Sequence, residues 1–190
     1  MDDIQDYWYC ERQLKIINLH RENKVPIKLA VIAGAIGEND ELICVIRKGI
    51  KEGIITLQNH AWSKESICGL NYSVQYQIIN NSTERIRTLF NVRPREFVPP
   101  MWMYDNVTLS VLKDLNIELA VIHQYTVLVT EYDRERHAWK PFNMTQLAQQ
   151  IEEKLERYGM VEIYIHFQSI KFEEYEVLFY YLLGKYGLGN

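Results

Sequence analysis

The chain has 190 residues, 47% of them hydrophobic, enough to bury one substantial core, and it reads most simply as a single domain over 1–190. Its net charge of -4, with acids and bases interspersed, gives no electrostatic footprint for nucleic acid or an anionic membrane surface. Cys10, Cys44 and Cys68 are odd in number and match no CxxC spacing, which argues against a disulfide framework and a cysteine zinc site.

The acidic start, Met1-Asp2-Asp3-Ile4-Gln5-Asp6, lacks the layout of a signal peptide, and no apolar run approaches the ~18 residues of a membrane span. The expectation is a cytoplasmic chain that neither crosses a membrane nor binds nucleic acid. The sequons at Asn81 and Asn143 then carry no glycosylation meaning.

Trp8, Leu14, Ile17 and Leu19 recur at helical spacing between Tyr7 and Asn23, and Pro26 stops that helix. Ile27 to Gly34 is short, β-branched and bounded by Pro and Gly, hence a buried strand. Asp40 caps a helix through Leu42, Ile43, Ile46 and Ile50, and Gly53 ends it. A strand over Ile54 to Gln58 follows and breaks into the polar edge Asn59-His60-Ala61-Trp62-Ser63-Lys64.

Asn71 to Phe90 predicts a long helix, with an interruption near Asn80-Asn81-Ser82-Thr83. Glu96-Phe97-Val98 is a short strand that Pro99-Pro100 terminates. A helix begins at Asn106 or Thr108 and runs through Leu115, and Ile117 to Ile122 is a further buried strand. Thr126 to Thr130 predicts one more strand, before a charged, aromatic loop from Tyr132 to Phe142. Asn143 caps a helix from Leu147 to Tyr158, Gly159 stops it, Met160 to Ile165 is the last strand, and Phe172 to Tyr186 is a closing aromatic helix.

Strands alternating with helices argue for βαβ units and a parallel sheet or barrel. In such folds ligands bind beyond the carboxyl ends of the strands, where this chain places His60, the segment Pro99-Pro100 to Tyr104-Asp105, and His166. Residue types alone leave each of these open. His60 and Lys64 also read as a loop histidine beside a solvated lysine, His166 as a hydrogen-bonded structural histidine, and Asp2 and Asp3 as solvated terminal acids. Trp62, Trp102 and Tyr104 read either as core or as an aromatic wall for a sugar face.

The order of Asp2-Asp3, His60-Ala61-Trp62-Ser63-Lys64, Phe97-Val98-Pro99-Pro100 and Ile165-His166-Phe167-Gln168 resembles the polysaccharide deacetylase family, along essentially the whole chain. The resemblance implies an α/β fold, a NodB-like distorted (β/α)7 barrel, incomplete here at the N-terminal strand. It also implies Asp2 as catalytic base, Asp3 and His60 as ligands of a divalent metal, zinc first, and His166 as catalytic acid, with Pro99 and Pro100 shaping the site wall.

Two family positions differ. Lys64 stands where the second metal histidine belongs, and Val98 where the family has arginine. A zinc-type hydrolytic site needs about three protein ligands and an open position, and two are countable here. A lysine ammonium is repelled by a divalent cation, so its favourable place is against Asp3.

The functional expectations are therefore a metal-dependent hydrolase removing N-acetyl or similar acyl groups from a carbohydrate or small acylated substrate, a degenerate relative that keeps a carbohydrate-binding cleft, or a scaffold for protein association. Because the chain begins where a first strand would end, an open sheet edge is expected, or one covered by a partner chain in a homo-oligomer.

Overall fold

The computed structural model describes residues 1–133 and 135–187. Its contacts divide the chain into two compact units, one spanning Asp2–Val121 and a second beginning at Ile122.

The first unit runs through α1 (Cys10–Glu22), β1 (Ile27–Val31), α2 (Asp40–Lys51), β2 (Ile55–Asn59), α3 (Tyr72–Phe90), β3 (Glu96–Phe97), α4 (Asn106–Leu115) and β4 (Glu118–Leu119). The strands form one parallel sheet in the order β1-β2-β3-β4. Helical crossovers force this arrangement, because a parallel neighbour can be reached only by a long return connection. Leu29, Ala30, Val31, Ile55 and Leu57 are buried, as expected of strands covered on both faces. Phe97, Ile79, Val111, Leu112 and Leu115 pack as a core where α3 and α4 lie against the sheet.

Register decides where chemistry can sit. Val31 pairs with Asn59, Asn59 with Phe97, and Phe97 with Leu119, so the four strands finish in line and their following residues emerge together. On the outer side of β1 the pairing is a single parallel bridge, Val31 to Ile4, with the Ile4 amide donating to the Ala30 carbonyl at 3.0 Å.

The second unit holds β5 (Thr126–Leu128), β6 (Tyr132–Asp133), β7 (Ala138–Trp139), α5 (Met144–Tyr158), β8 (Glu162–Tyr164) and α6 (Phe172–Tyr186). β5 and β8 pair in parallel, with Thr126 opposite Glu162. Among the described residues no helix is long and apolar enough to cross a membrane.

Several boundaries differ from expectation for local reasons. α3 is continuous: Ser82 and Thr83 donate their hydroxyls to the Ile79 carbonyl at 2.9 and 2.7 Å instead of breaking the helix. The cap of α2 falls one residue early, on Asn39, while α4 begins at Asn106 as expected, with Asp105 before it in a capping box with Thr108. β4 is two residues long, shorter than the predicted Ile117 to Ile122. The expected loop at 132–142 holds the antiparallel pair β6 and β7, where the Tyr132 and Trp139 rings meet edge to face.

His20, buried in α1, has Nδ1 2.9 Å from the Val25 carbonyl. Burial outweighs that hydrogen bond and pushes its pKa down to about 4. The native state thus keeps the imidazole neutral over a range where the unfolded chain, at a reference pKa of about 6.5, protonates it. Stability from this group is complete above about pH 6.5 and is lost as pH falls toward about 4, by at most about 3 kcal/mol. Chemical denaturation of wild type and His20→Gln at pH 7 and pH 4.5 checks this: the variant should lose distinctly less stability on acidification.

Candidate active site

The site assembles where β1, β2 and β3 end. Beside the end of β1, the bridge at Ile4 holds the N-terminal segment, which is ordered rather than a solvated tail. Gln13, fully buried in α1, accepts from the Gln5 amide at 3.1 Å and donates to the Gln5 and Trp8 carbonyls at 2.8 Å. Asp6 Oδ2 accepts from the Gly37 and Glu38 amides at 2.6 Å, and the Asp6 amide donates to the Ala35 carbonyl at 2.8 Å. Asp2 and Asp3 are buried as a result, with the Asp3 amide on Asp2 Oδ1 at 2.9 Å.

His60 follows β2 directly. Its amide donates to the Val31 carbonyl at 2.9 Å, and its Nδ1 lies 2.8 Å from the Val98 carbonyl. A carbonyl only accepts, so Nδ1 carries a proton and Nε2 is the atom turned toward the acids, 3.4 Å from Asp2 Oδ1 and 3.5 Å from Asp3 Oδ1. Val98, which lacks the side chain the family has there, thus still contributes through its backbone. Burial of His60 would lower its pKa, but the Asp2 and Asp3 carboxylates and the Val98 carbonyl outweigh it, and the pKa is raised.

Asn59 makes the turn possible. Its Nδ2 donates to Ser82 Oγ at 2.8 Å, Thr83 Oγ1 at 2.9 Å and the Ile79 carbonyl at 3.2 Å, and its Oδ1 accepts from the Ala61 amide at 2.8 Å. Ala61 sits at φ 58° and Asp3 at φ 63°, left-handed conformations that cost non-glycine residues energy and persist only when surrounding bonds impose them.

Ligand atoms of Asp2, Asp3 and His60 all lie within 4.8 Å of one another. Lys64 completes the group: its Nζ is 3.0 Å from Asp3 Oδ2 and 5.0 Å from the centroid of the Trp8 ring. The ammonium is therefore held between a carboxylate and an indole face. In sequence Trp8 falls in register with the apolar face of the first helix, which masks this contact. The run Tyr7-Trp8-Tyr9 directly before α1, all three exposed, is the signal that could have found it.

The other expected residues are distributed as follows. Pro99 and Pro100 are buried at the exit of β3, and Tyr104 is exposed further along that loop, where Met101 and Trp102 both adopt φ 57°. Trp62 is half-exposed on the His60 loop, with its backbone carbonyl accepting from the Gly34 amide at 3.0 Å. A Cβ on Gly34 would meet the Trp62 indole at 2.6 Å, so this approach needs glycine. His166 lies in the second unit just after β8, flanked by the Trp139 ring at 4.8 Å and the Tyr164 ring at 5.3 Å.

Comparison with known proteins agrees with this geometry. The family model described as polysaccharide deacetylase matches residues 3–120. The chain belongs to the polysaccharide deacetylase family. An uncharacterized protein of Streptomyces coelicolor is 30% identical over 122 residues, which cover 62% of this chain and 46% of that protein, so the match spans about half of the relative's length.

Among solved structures, a family 4 carbohydrate esterase from Streptomyces lividans in complex with acetate superposes with a TM-score of 0.69 over 97% of this chain and 86% of its own, at 15% identity. A CE4 family pseudoenzyme from Bacillus anthracis gives 0.67 over 97% of this chain and 60% of its own, at 13% identity. These likenesses show the fold: α/β, of the NodB-like (β/α)-barrel type.

Asn59 supports both the left-handed turn at Ala61 and the two buried hydroxyls of α3. Asn59→Ala takes the acceptor from the Ala61 amide and a donor from each hydroxyl, which keep only the Ile79 carbonyl, and the expected loss is about 2 kcal/mol or more. A thermal melt of the variant checks this. A midpoint unchanged within about a degree would mean the turn holds itself.

Proposed function

We propose that this chain is a deacetylase-like domain whose acidic cluster is balanced by the Lys64 ammonium in place of a divalent metal, and that it binds a carbohydrate without hydrolysing it. One observation carries this reading: Lys64 Nζ occupies the outer oxygen of Asp3 at 3.0 Å. A zinc-type ion asks for about three protein ligands around an open position. Asp2, Asp3 and His60 offer three donor atoms, but a lysine ammonium already holds Asp3, and it repels a dication while donating where a ligand must accept. The residues present do not fit a resident divalent ion well, and no chemical step through one follows from them.

The fold tolerates this exchange. Two buried carboxylates need nearby positive charge; Lys64 brings it without any solute, and the same carboxylates favour the protonated form of His60. The solved neighbours include proteins described as pseudoenzymes of the CE4 family, one of them a mutant with restored enzymatic activity, which supports a degenerate site on an otherwise retained scaffold. Another neighbour is described as a peptidoglycan deacetylase, which supports a glycan as the class of ligand. In this reading residues 1–190 act as one functional domain, and Trp62, Tyr104, Pro99 and Pro100 contribute its cleft.

The second reading is a metal-dependent hydrolase acting on acyl groups of a glycan, with Asp2 as base, His166 as acid, and Asp3 and His60 as zinc ligands. The gathering of three ligand atoms within 4.8 Å favours it. So does the hydrogen bond from His60 Nδ1 to a carbonyl, the kind of support that orients a metal-bound imidazole.

Metal content separates the two. After equilibration with zinc and removal of the excess at neutral pH, the unmodified protein should retain well under one equivalent, and Lys64→His close to one, with affinity raised at least about tenfold. Retained metal should fall off below about pH 6.5 in the variant as its histidines protonate. Stoichiometric zinc in the unmodified protein would establish the hydrolase site instead. Equal, negligible binding by both proteins would show that Lys64 does not decide the matter.

A further inference from the structure

Beside the His60 loop lies a half-open groove of about 360 Å³ that the acidic cluster does not use. One wall is the loop itself, with Trp62, Ile67 and Leu70, and the other is a stripe of α3 carrying Val74, Gln77 and Asn81. Residues three and four apart share one face of a helix, so these α3 side chains point the same way. The loop wall is fixed rather than slack. The Gly69 amide donates to Asp105 Oδ2 at 2.7 Å, and the Ala33 and Gly34 amides donate to the Ala61 and Trp62 carbonyls at 3.0 Å. The Gly69 and Thr108 amides hold the Asp105 carboxyl well below the usual carboxylate range.

Trp62, Leu70 and Val74 are exposed by 46%, 39% and 38% in this concave place. Apolar groups gathered in a preformed recess, with a few polar groups converging on them, are the mark of a small-molecule site, and the volume falls in the usual range. The lining also selects its occupant. Among the described residues it contains one carboxylate, Glu65, and no lysine, arginine or histidine, so nothing there compensates an anion.

The remaining polar groups are the amides of Gln77 and Asn81 and two serine hydroxyls, which both donate and accept. An indole beside such groups suits a ring with one C–H face and a rim of hydroxyls. Trp62 is also two residues from both His60 and Lys64, so one short loop serves the cluster and the groove.

We propose that this groove is a subsite for a neutral pyranose chain, with Trp62 stacking on a sugar face and Gln77 and Asn81 binding its hydroxyls. The inference rests on the glycan-binding reading above and adds a second place of contact, outside the acidic cluster. Gln77 and Asn81 are exposed on α3, and alanine suits a helix, so their double replacement keeps the fold.

Amide chemical shifts of the full chain, followed during titration with chitotriose or xylotriose, give the test. The expected result is movement that includes residues 61–81, with affinity lowered about tenfold or more in the double variant Gln77→Ala with Asn81→Ala. If a sugar binds the double variant as tightly as the unmodified protein, the groove is not the subsite, while the glycan-binding reading stands. If neither sugar moves any amide, both fail. A concentration-dependent dimer that the double variant abolishes would assign the groove to contact between copies and overturn the subsite.

Discussion

The hydrogen bond from His60 Nδ1 to the Val98 carbonyl ties the exit of β2 to the exit of β3, and the arrangement of the cluster depends on it. Because Nδ1 is committed to a backbone acceptor, Nε2 must face the opposite way, and there the bridge from Ile4 to Val31 has placed Asp2 and Asp3. On the Val98 side the tie uses only main chain, so it does not depend on which side chain stands at position 98. A side chain that recruits a backbone group is insulated from substitution at that residue, and this explains how the histidine keeps its pose in a divergent member.

The alternation of strands and helices was legible in the sequence because each crossover carries its own start and stop. Examples are Pro26 before β1, Gly53 before β2 and Gly159 before β8, with apolar spacing that changes character between them. The interruption wrongly expected in α3 shows the limit. Asn80-Asn81-Ser82-Thr83 reads locally as a breaker, and the donor on Asn59, more than twenty residues away, joins the Ile79 carbonyl in satisfying two of those polar residues in a core. Pairwise rescue of buried polar groups is a tertiary fact.

The cluster was legible in part, for the same physical reason. Asp2, Asp3, His60 and Lys64 stood out through their likeness to a family pattern. Trp8 and the Val98 carbonyl did not, one because an aromatic near a helix start resembles core, the other because a backbone acceptor has no sequence signature. The order of the N-terminal segment was hidden for a related reason. It comes from Gln13 and from the Gly37 and Glu38 amides, which no reading of residues 1–6 alone would consult.

A buried pair of carboxylates is unstable unless positive charge stays close, and the two ways of providing it differ in kind. A metal ion stabilises a fold only as far as its concentration exceeds its dissociation constant. A lysine on the adjoining loop is present at fixed stoichiometry. Lys64 reaches Asp3 from the same turn that delivers His60, and Trp8 faces its ammonium from the segment that delivers Asp3, so each half of the cluster holds a group that restrains the other. The outcome is a cluster in which an ammonium and an imidazole face the two buried carboxylates. The left-handed turns at Asp3 and Ala61 are held within this same network. The glycan-binding function proposed above asks only for this shape and its hydrogen bonds, which the turns supply, whereas hydrolysis would ask in addition for a dication beside the Lys64 ammonium.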